Sequence, residues 1–155
     1  MWTDRSGLAL AILTADCVPV VLWADDASVV GVAHAGWRGL CAGVVENLVA
    51  AIPAPAGQLS AWIGPCISQP CYEVGEEVWS RFAHLSADMI APSDTADKRL
   101  LDLAATVEYR LGEANVTRVS QSGLCSFSDP RFYSYRGRSG IETGRMASFV
   151  LIRPN

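Results

Sequence analysis

Charge is scarce in this sequence. Of 155 residues, 18% are charged and the net charge is −4, whereas soluble domains usually carry ~25% charged residues. No run of Lys or Arg occurs, which speaks against a nucleic-acid partner or an anionic membrane surface. A single small anion held by one arginine is compatible with that balance. Histidine is scarcer still, with only His34 and His84. There is no CxxC pair, and the spacing of Cys66 and Cys71 falls outside the common zinc patterns. Long apolar runs are missing too. The longest charge-free stretch, Asn47 to Tyr72, is broken by Pro53, Pro55, Pro65 and Pro70. The run Cys17–Ala24 is shorter than the ~20 residues a spanning helix requires. An export signal is not expected either: Met1–Arg5 offers one arginine beside an aspartate, and Thr14-Ala15-Asp16 is no small-residue cleavage site. A cytoplasmic protein with free thiols at Cys17, Cys41, Cys66, Cys71 and Cys125 is therefore expected.

What is present is apolar. Half of the residues are hydrophobic, and five Trp, four Tyr and four Phe are spread along the chain, which excludes disorder. The length fits one domain able to bury a core without disulfide or metal staples. So little charge on so short a chain implies that surface is hidden against a partner, or that a covering segment is missing.

Leu8–Leu13, Val18–Trp23 and Ser28–Ala33 are short apolar runs that read as buried strands. From Trp37 to Ile52 the period changes, and Leu40, Val44, Leu48 and Ala51 fall on one helical face, ended by Pro53. Leu59–Ile63 reads as a strand and Gly64–Tyr72 as an irregular turn. Helices are expected over Val74–Leu85 and Lys98–Glu113, strands over Val116–Gln121 and Met146–Ile152, and a polar loop over Cys125–Gly140. Adjacent early strands followed by mixed elements favour a layered α+β fold over a strict βαβ winding.

Chemistry concentrates in Thr14-Ala15-Asp16-Cys17-Val18-Pro19 and His34-Ala35-Gly36-Trp37-Arg38-Gly39. Both lie at strand edges, so Cys17 and His34 can meet at one rim of a sheet. A thiol and an imidazole there hold a metal such as zinc, or act as a nucleophile–base pair. A buried small hydrophobe and a satisfied core imidazole are the plain alternative. No side-chain cap precedes the Trp37 helix, Gly36 allows close backbone approach, and Arg38 sits in the first turn. That combination suits an anion, although a salt bridge from Arg38 to a loop carboxylate explains it equally well. Ile63–Gly75, with Pro65 and Pro70, forms a rigid wall in which Cys66 and Cys71 read as structural. In Phe132–Arg138 and Thr143–Met146, Arg136 or Arg145 can hold a phosphate or carboxylate while Arg138 reads as a surface residue. For His84, a helix C-terminus explains the position, and Glu76-Glu77 reads as a solvated face.

Taken together, four segments resemble the laccase-domain proteins, also called the multicopper polyphenol oxidase or purine nucleoside phosphorylase family. They are Thr14–Pro19, His34–Gly39, Ile63–Ile67 with Cys71–Gly75, and Phe132–Arg136 with Thr143–Met146, in matching order. Bacterial members include the peptidoglycan editing factors. The resemblance implies a layered αββα-type sandwich like that of cytotoxic necrotizing factor and the laccase-domain proteins. It implies one laccase-like domain over 1–155, short at its N-terminus. A metal site is also implied, zinc or alternatively copper, held by a histidine, a cysteine and a second histidine. Cys17 matches the cysteine and His34 the second histidine. The first histidine, in a Gln-Val-His-Gly-like motif, has no counterpart, so two of three ligands are present.

The implied activities are phosphorolysis of purine nucleosides and deamination of adenosine, with phosphate as co-substrate. By motif, Cys17, His34 and Arg38 are catalytic, Gly36, Arg38 and Arg136 bind substrate or phosphate, and Asp16 supports them from behind. Three other readings stand beside this one. The chain is a metal-free Cys17–His34 hydrolase or transferase acting on a cell-wall precursor, or a copper polyphenol oxidase, or an inactive oligomerising module. Two histidines cannot build a laccase-type copper cluster within one chain. Self-association into a homo-oligomer is expected from the low charge.

Overall fold

The computed structural model describes residues 1–137 and 143–154. A five-stranded sheet forms the middle layer, in the order β1 (Trp2–Thr3), β4 (Val30–Ala35), β3 (Val18–Ala24), β5 (Leu59–Ile63) and β9 (Arg118–Gln121). All its neighbours are antiparallel except the parallel pair β5–β9. The uninterrupted apolar run of β3 follows from its central place. Val20, Leu22 and Ala24 enter the main core, while Val21 and Trp23 join a second cluster with Ile12 and Val32. A strand buried on both faces has no polar side to alternate.

The helices α1 (Trp37–Cys41), α2 (Val44–Ala51) and α4 (Leu103–Glu113) pack into the main core through Leu40, Leu48, Val107 and Leu111. Against the other face lies a two-stranded sheet, β2 (Leu10–Thr14) with β10 (Met146–Val150). Its outward positions Ala11, Leu13, Ala147 and Phe149 are exposed, and no helix among the described residues is placed on them. A small three-stranded sheet of β6 (Glu73–Val74), β8 (Arg99–Leu101) and β7 (Ile90–Pro92) stands beside α3 (Glu76–Trp79). The layered α+β expectation holds. No helix among the described residues is long and apolar enough to cross a membrane.

Three helix boundaries differ from expectation. Trp37–Ile52 is two helices, because Gly43 adopts φ 74° and breaks the ladder while the i, i+4 spacing of Leu40, Val44 and Leu48 continues across the break. Lys98–Glu113 begins as strand β8, and the helix starts only after Asp102, whose carboxylate accepts the Ala105 N–H at 2.8 Å. Val74–Leu85 reduces to the single turn of α3 and a 3₁₀ turn at Ser80–Phe82, held by buried Val78 and Phe82. The short strands β1 and β7 carry too few residues to show alternation, and the sequence reading missed them.

Candidate functional site

The register of β3 on β4 pairs Val18 with Ala35 and Pro19 with His34. Cys17 therefore leaves β3 beside Gly36 and next to the end of β4 that carries His34. A cavity of about 420 Å³ opens at this rim, lined by Asp16, Cys17, His34, Gly36, Arg38 and Arg136. All six residues singled out from sequence thus reach one pocket. Trp37, Ile67, Tyr72, Leu103 and Tyr135 complete its apolar wall. The volume lies within the ~300–1,000 Å³ range of small-molecule sites.

Asp16 is the hub behind the pocket. It is a buried non-glycine residue at φ 88°, a conformation that costs energy and persists only where the surroundings impose it. Its Oδ1 accepts the Ser126 hydroxyl at 2.7 Å and its Oδ2 accepts the Arg136 N–H at 2.6 Å. Its backbone carbonyl accepts the Ile67 N–H at 2.9 Å. One aspartate thereby fastens the loop before β3 to two others. Ser126, which the sequence reading overlooked, is a plain serine in a loop and carries no pattern that would mark it. Leu103 was missed as well, because it reads as an ordinary helix residue.

Cys17 is partly buried, and burial pushes its thiol above the ordinary range. Asp16 adds to that shift and Arg145 opposes it. It is not the activated thiolate that a metal-free nucleophile calls for. Tyr72 is pushed up to about 12, first by burial and then by Cys17, so its phenol stays protonated and able to donate. Arg136 stacks over the Tyr72 ring at 5.1 Å and donates to the Glu73 carbonyl at 2.8 Å. Arg38 is exposed and stacks over Trp37 at 4.2 Å. Among the described residues no carboxylate pairs with it, so the alternative of a structural salt bridge is not realised. The uncapped helix at Gly36 is only five residues long. One turn has little dipole, which leaves the Arg38 guanidinium as the charge on that wall.

Gly36 has an ordinary extended backbone, yet a Cβ there would lie 2.8 Å from the Cys17 sulfur. Gly36→Ala is expected to turn the Cys17 side chain away while thermal stability changes little. Measuring Tm alongside the alkylation rate of Cys17 checks this.

Other marked residues lie elsewhere. His84 meets Arg110 at 3.3 Å and is not a pocket residue. Arg145 folds back on the Thr143 and Gly144 carbonyls, near enough to Cys17 to act on its thiol. Cys66 is buried and held at about 12, as a structural cysteine would be. Arg138 lies outside the described residues.

Over residues 1–153 the sequence matches the family described as multi-copper polyphenol oxidoreductase laccase. The chain belongs to that family. Among its relatives, a protein of Pseudomonas aeruginosa named purine nucleoside phosphorylase is 42% identical over 98% of this chain and 64% of its own length. The purine nucleoside phosphorylase YfiH of Escherichia coli is 36% identical, over 96% of this chain and 61% of its own. A solved structure from Neisseria meningitidis superposes with a TM-score of 0.91 at 34% identity, covering 99% of this chain and 64% of the other. YlmD of Geobacillus stearothermophilus gives 0.89 at 30% identity, covering 99% and 60%. The chain thus spans less than two thirds of the relatives it matches.

Proposed function

We propose that the pocket binds a purine nucleoside together with inorganic phosphate, and that the chain catalyses phosphorolysis of the N-glycosidic bond. The observation that carries this reading is one cavity combining Arg38, free of any carboxylate among the described residues, with the aromatic wall of Trp37, Tyr72 and Tyr135. The relatives' names agree with it. In this reading the aromatic rings face the purine and Arg38 holds phosphate against the sugar. A phosphate oxygen bonds to C1′ as the C1′–N9 bond breaks and its electrons pass to the purine, which takes up a proton. Arg38 stabilises the phosphate, the Tyr72 phenol donates to an acceptor on the ligand, and Arg136, set by Asp16, closes the wall.

Zinc, or copper in its place, would find two donors here, Cys17 and His34. Among the described residues no group of three His, Cys, Asp or Glu gathers to hold a metal. Asp16 is engaged instead in holding Ser126 and Arg136. Catalytic zinc takes three protein ligands, so the described donor set does not fit one. Deamination of adenosine, which needs an activated water, is for the same reason the second reading. The metal-free Cys17 nucleophile is disfavoured by the raised thiol.

We also infer a cytoplasmic homo-oligomer. Leu13 and Phe149 are 58% and 67% exposed on the same outer face of the β2–β10 sheet, a surface suited to burial against a second copy. Sedimentation at micromolar concentration is expected to show a species larger than 16.6 kDa, reduced to monomer by Phe149→Glu. A wild-type monomer would remove the inference. The catalytic reading is tested by following purine release from inosine and adenosine with and without phosphate. An inactive module would release none.

A further inference from the structure

Away from the pocket, three cysteines approach one another where two loops pair. Cys66 and Cys125 form an isolated parallel bridge, with the Cys66 N–H on the Leu124 carbonyl at 3.3 Å and the Ser126 N–H on the Cys66 carbonyl at 2.9 Å. The Cys125 sulfur accepts the Ser68 hydroxyl at 3.0 Å and the Ser68 N–H at 3.4 Å. Cys71 lies at the end of the 3₁₀ turn Gln69–Cys71, its N–H on the Ser68 carbonyl at 3.0 Å, and its thiol is near enough to Cys125 to be raised by it. Cys71 and Cys125 are both partly exposed, whereas Cys66 is buried.

We propose that Cys125 and Cys71 form a peroxide-oxidisable thiol pair, in which Cys125 is the reacting sulfur and Cys71 the partner that closes the disulfide. Burial works against a thiolate at Cys125, but hydrogen bonds from Ser128 and Ser68 outweigh it and bring the thiol down to about 6. Burial and the neighbouring Cys125 hold Cys71 above its ordinary range, as suits a proton donor, and Cys66 stays at about 12. Thiolate character and access decide which cysteine a peroxide attacks. The Cys125 sulfur attacks a peroxide oxygen: an S–O bond forms, the O–O bond breaks, and the leaving hydroxide takes a proton to become water. The Cys71 sulfur then displaces the second hydroxide, which leaves as water with the Cys71 proton. Two thiols lose two electrons and one hydrogen peroxide gives two waters. The closed bond would tie the loop carrying Tyr72 to the loop whose Ser126 holds Asp16.

The proposal does not depend on the nucleoside reading and is tested by thiol chemistry on the whole chain. The reduced protein is treated with one equivalent of hydrogen peroxide, blocked with N-ethylmaleimide and mapped by tandem mass spectrometry. A Cys71–Cys125 disulfide that dithiothreitol reverses is expected, with Cys41 still alkylated. Cys71→Ser should leave a dimedone-trappable sulfenic acid on Cys125. Where that variant does not fold, wild-type labelling by iodoacetamide at pH 6.5 decides, Cys125 reacting roughly fivefold or more faster than exposed Cys41. A Cys66–Cys125 bond, an intermolecular disulfide, maleimide on both Cys71 and Cys125 after peroxide, or equal labelling of Cys41 and Cys125 overturns it.

Discussion

Replacing Arg38 by alanine is expected to lower kcat for phosphorolysis by about 10²- to 10³-fold, the loss seen when a single charge-stabilising donor leaves a transition state. The side chain stands on the first turn of α1, stacked on Trp37, with no carboxylate pairing among the described residues. Its charge is thus available to an incoming anion. Being exposed, it adds little to the core, so Tm should stay within a few degrees of wild type. Arg38→Lys should recover part of the rate, because a point charge replaces a bidentate fork. Phosphorolysis kinetics at varied phosphate check all three statements. An alanine variant with unchanged kinetics would remove Arg38 from the proposed chemistry.

The largest stability loss from one polar substitution is expected at Asp16. Asp16→Ala strands the Ser126 hydroxyl and the Arg136 N–H and keeps a Cβ at φ 88°. The buried Ser126 hydroxyl left without its acceptor costs about 1–3 kcal/mol, and the partly buried Arg136 N–H costs less. A total near 3–5 kcal/mol in urea unfolding is therefore expected, well above a typical point mutant. Asp16→Asn should cost only about 1 kcal/mol. Its amide oxygen still accepts the Arg136 N–H, its NH₂ can donate to the Ser126 oxygen, and Asn tolerates positive φ better than Ala. If alanine and asparagine destabilise equally, the hydrogen bonds are not what holds the three loops.

These two residues also show how far the sequence could be read. Cys17 and His34 read as strand-edge residues and Gly36 and Arg38 as an uncapped helix start, the family resemblance singles out all four, and the β3–β4 register carries them to one rim. The sheet itself was legible in the apolar runs of β3 and β4, which are buried on both faces for most of their length, and in the alternating burial of β5. Ser126 and Leu103 were not legible, because their roles come from long-range contacts: Ser126 meets an aspartate 110 residues away in the chain. The helix break at Gly43 escaped periodicity for a related reason. The apolar spacing continues through it, and only the left-handed backbone at one glycine reveals the turn. Cys125 read as one more free thiol until its serine donors were placed around it.

The central claim is phosphorolysis in the pocket at the Cys17–His34 rim. Its most direct measurement is chromatographic detection of free purine from inosine, with the purified chain, with and without inorganic phosphate. Purine and a ribose phosphate should accumulate together only when phosphate is present, and Arg38→Ala should slow both by about 10²- to 10³-fold. Folded wild-type chain that releases no purine with phosphate, or releases it equally without, would contradict the account.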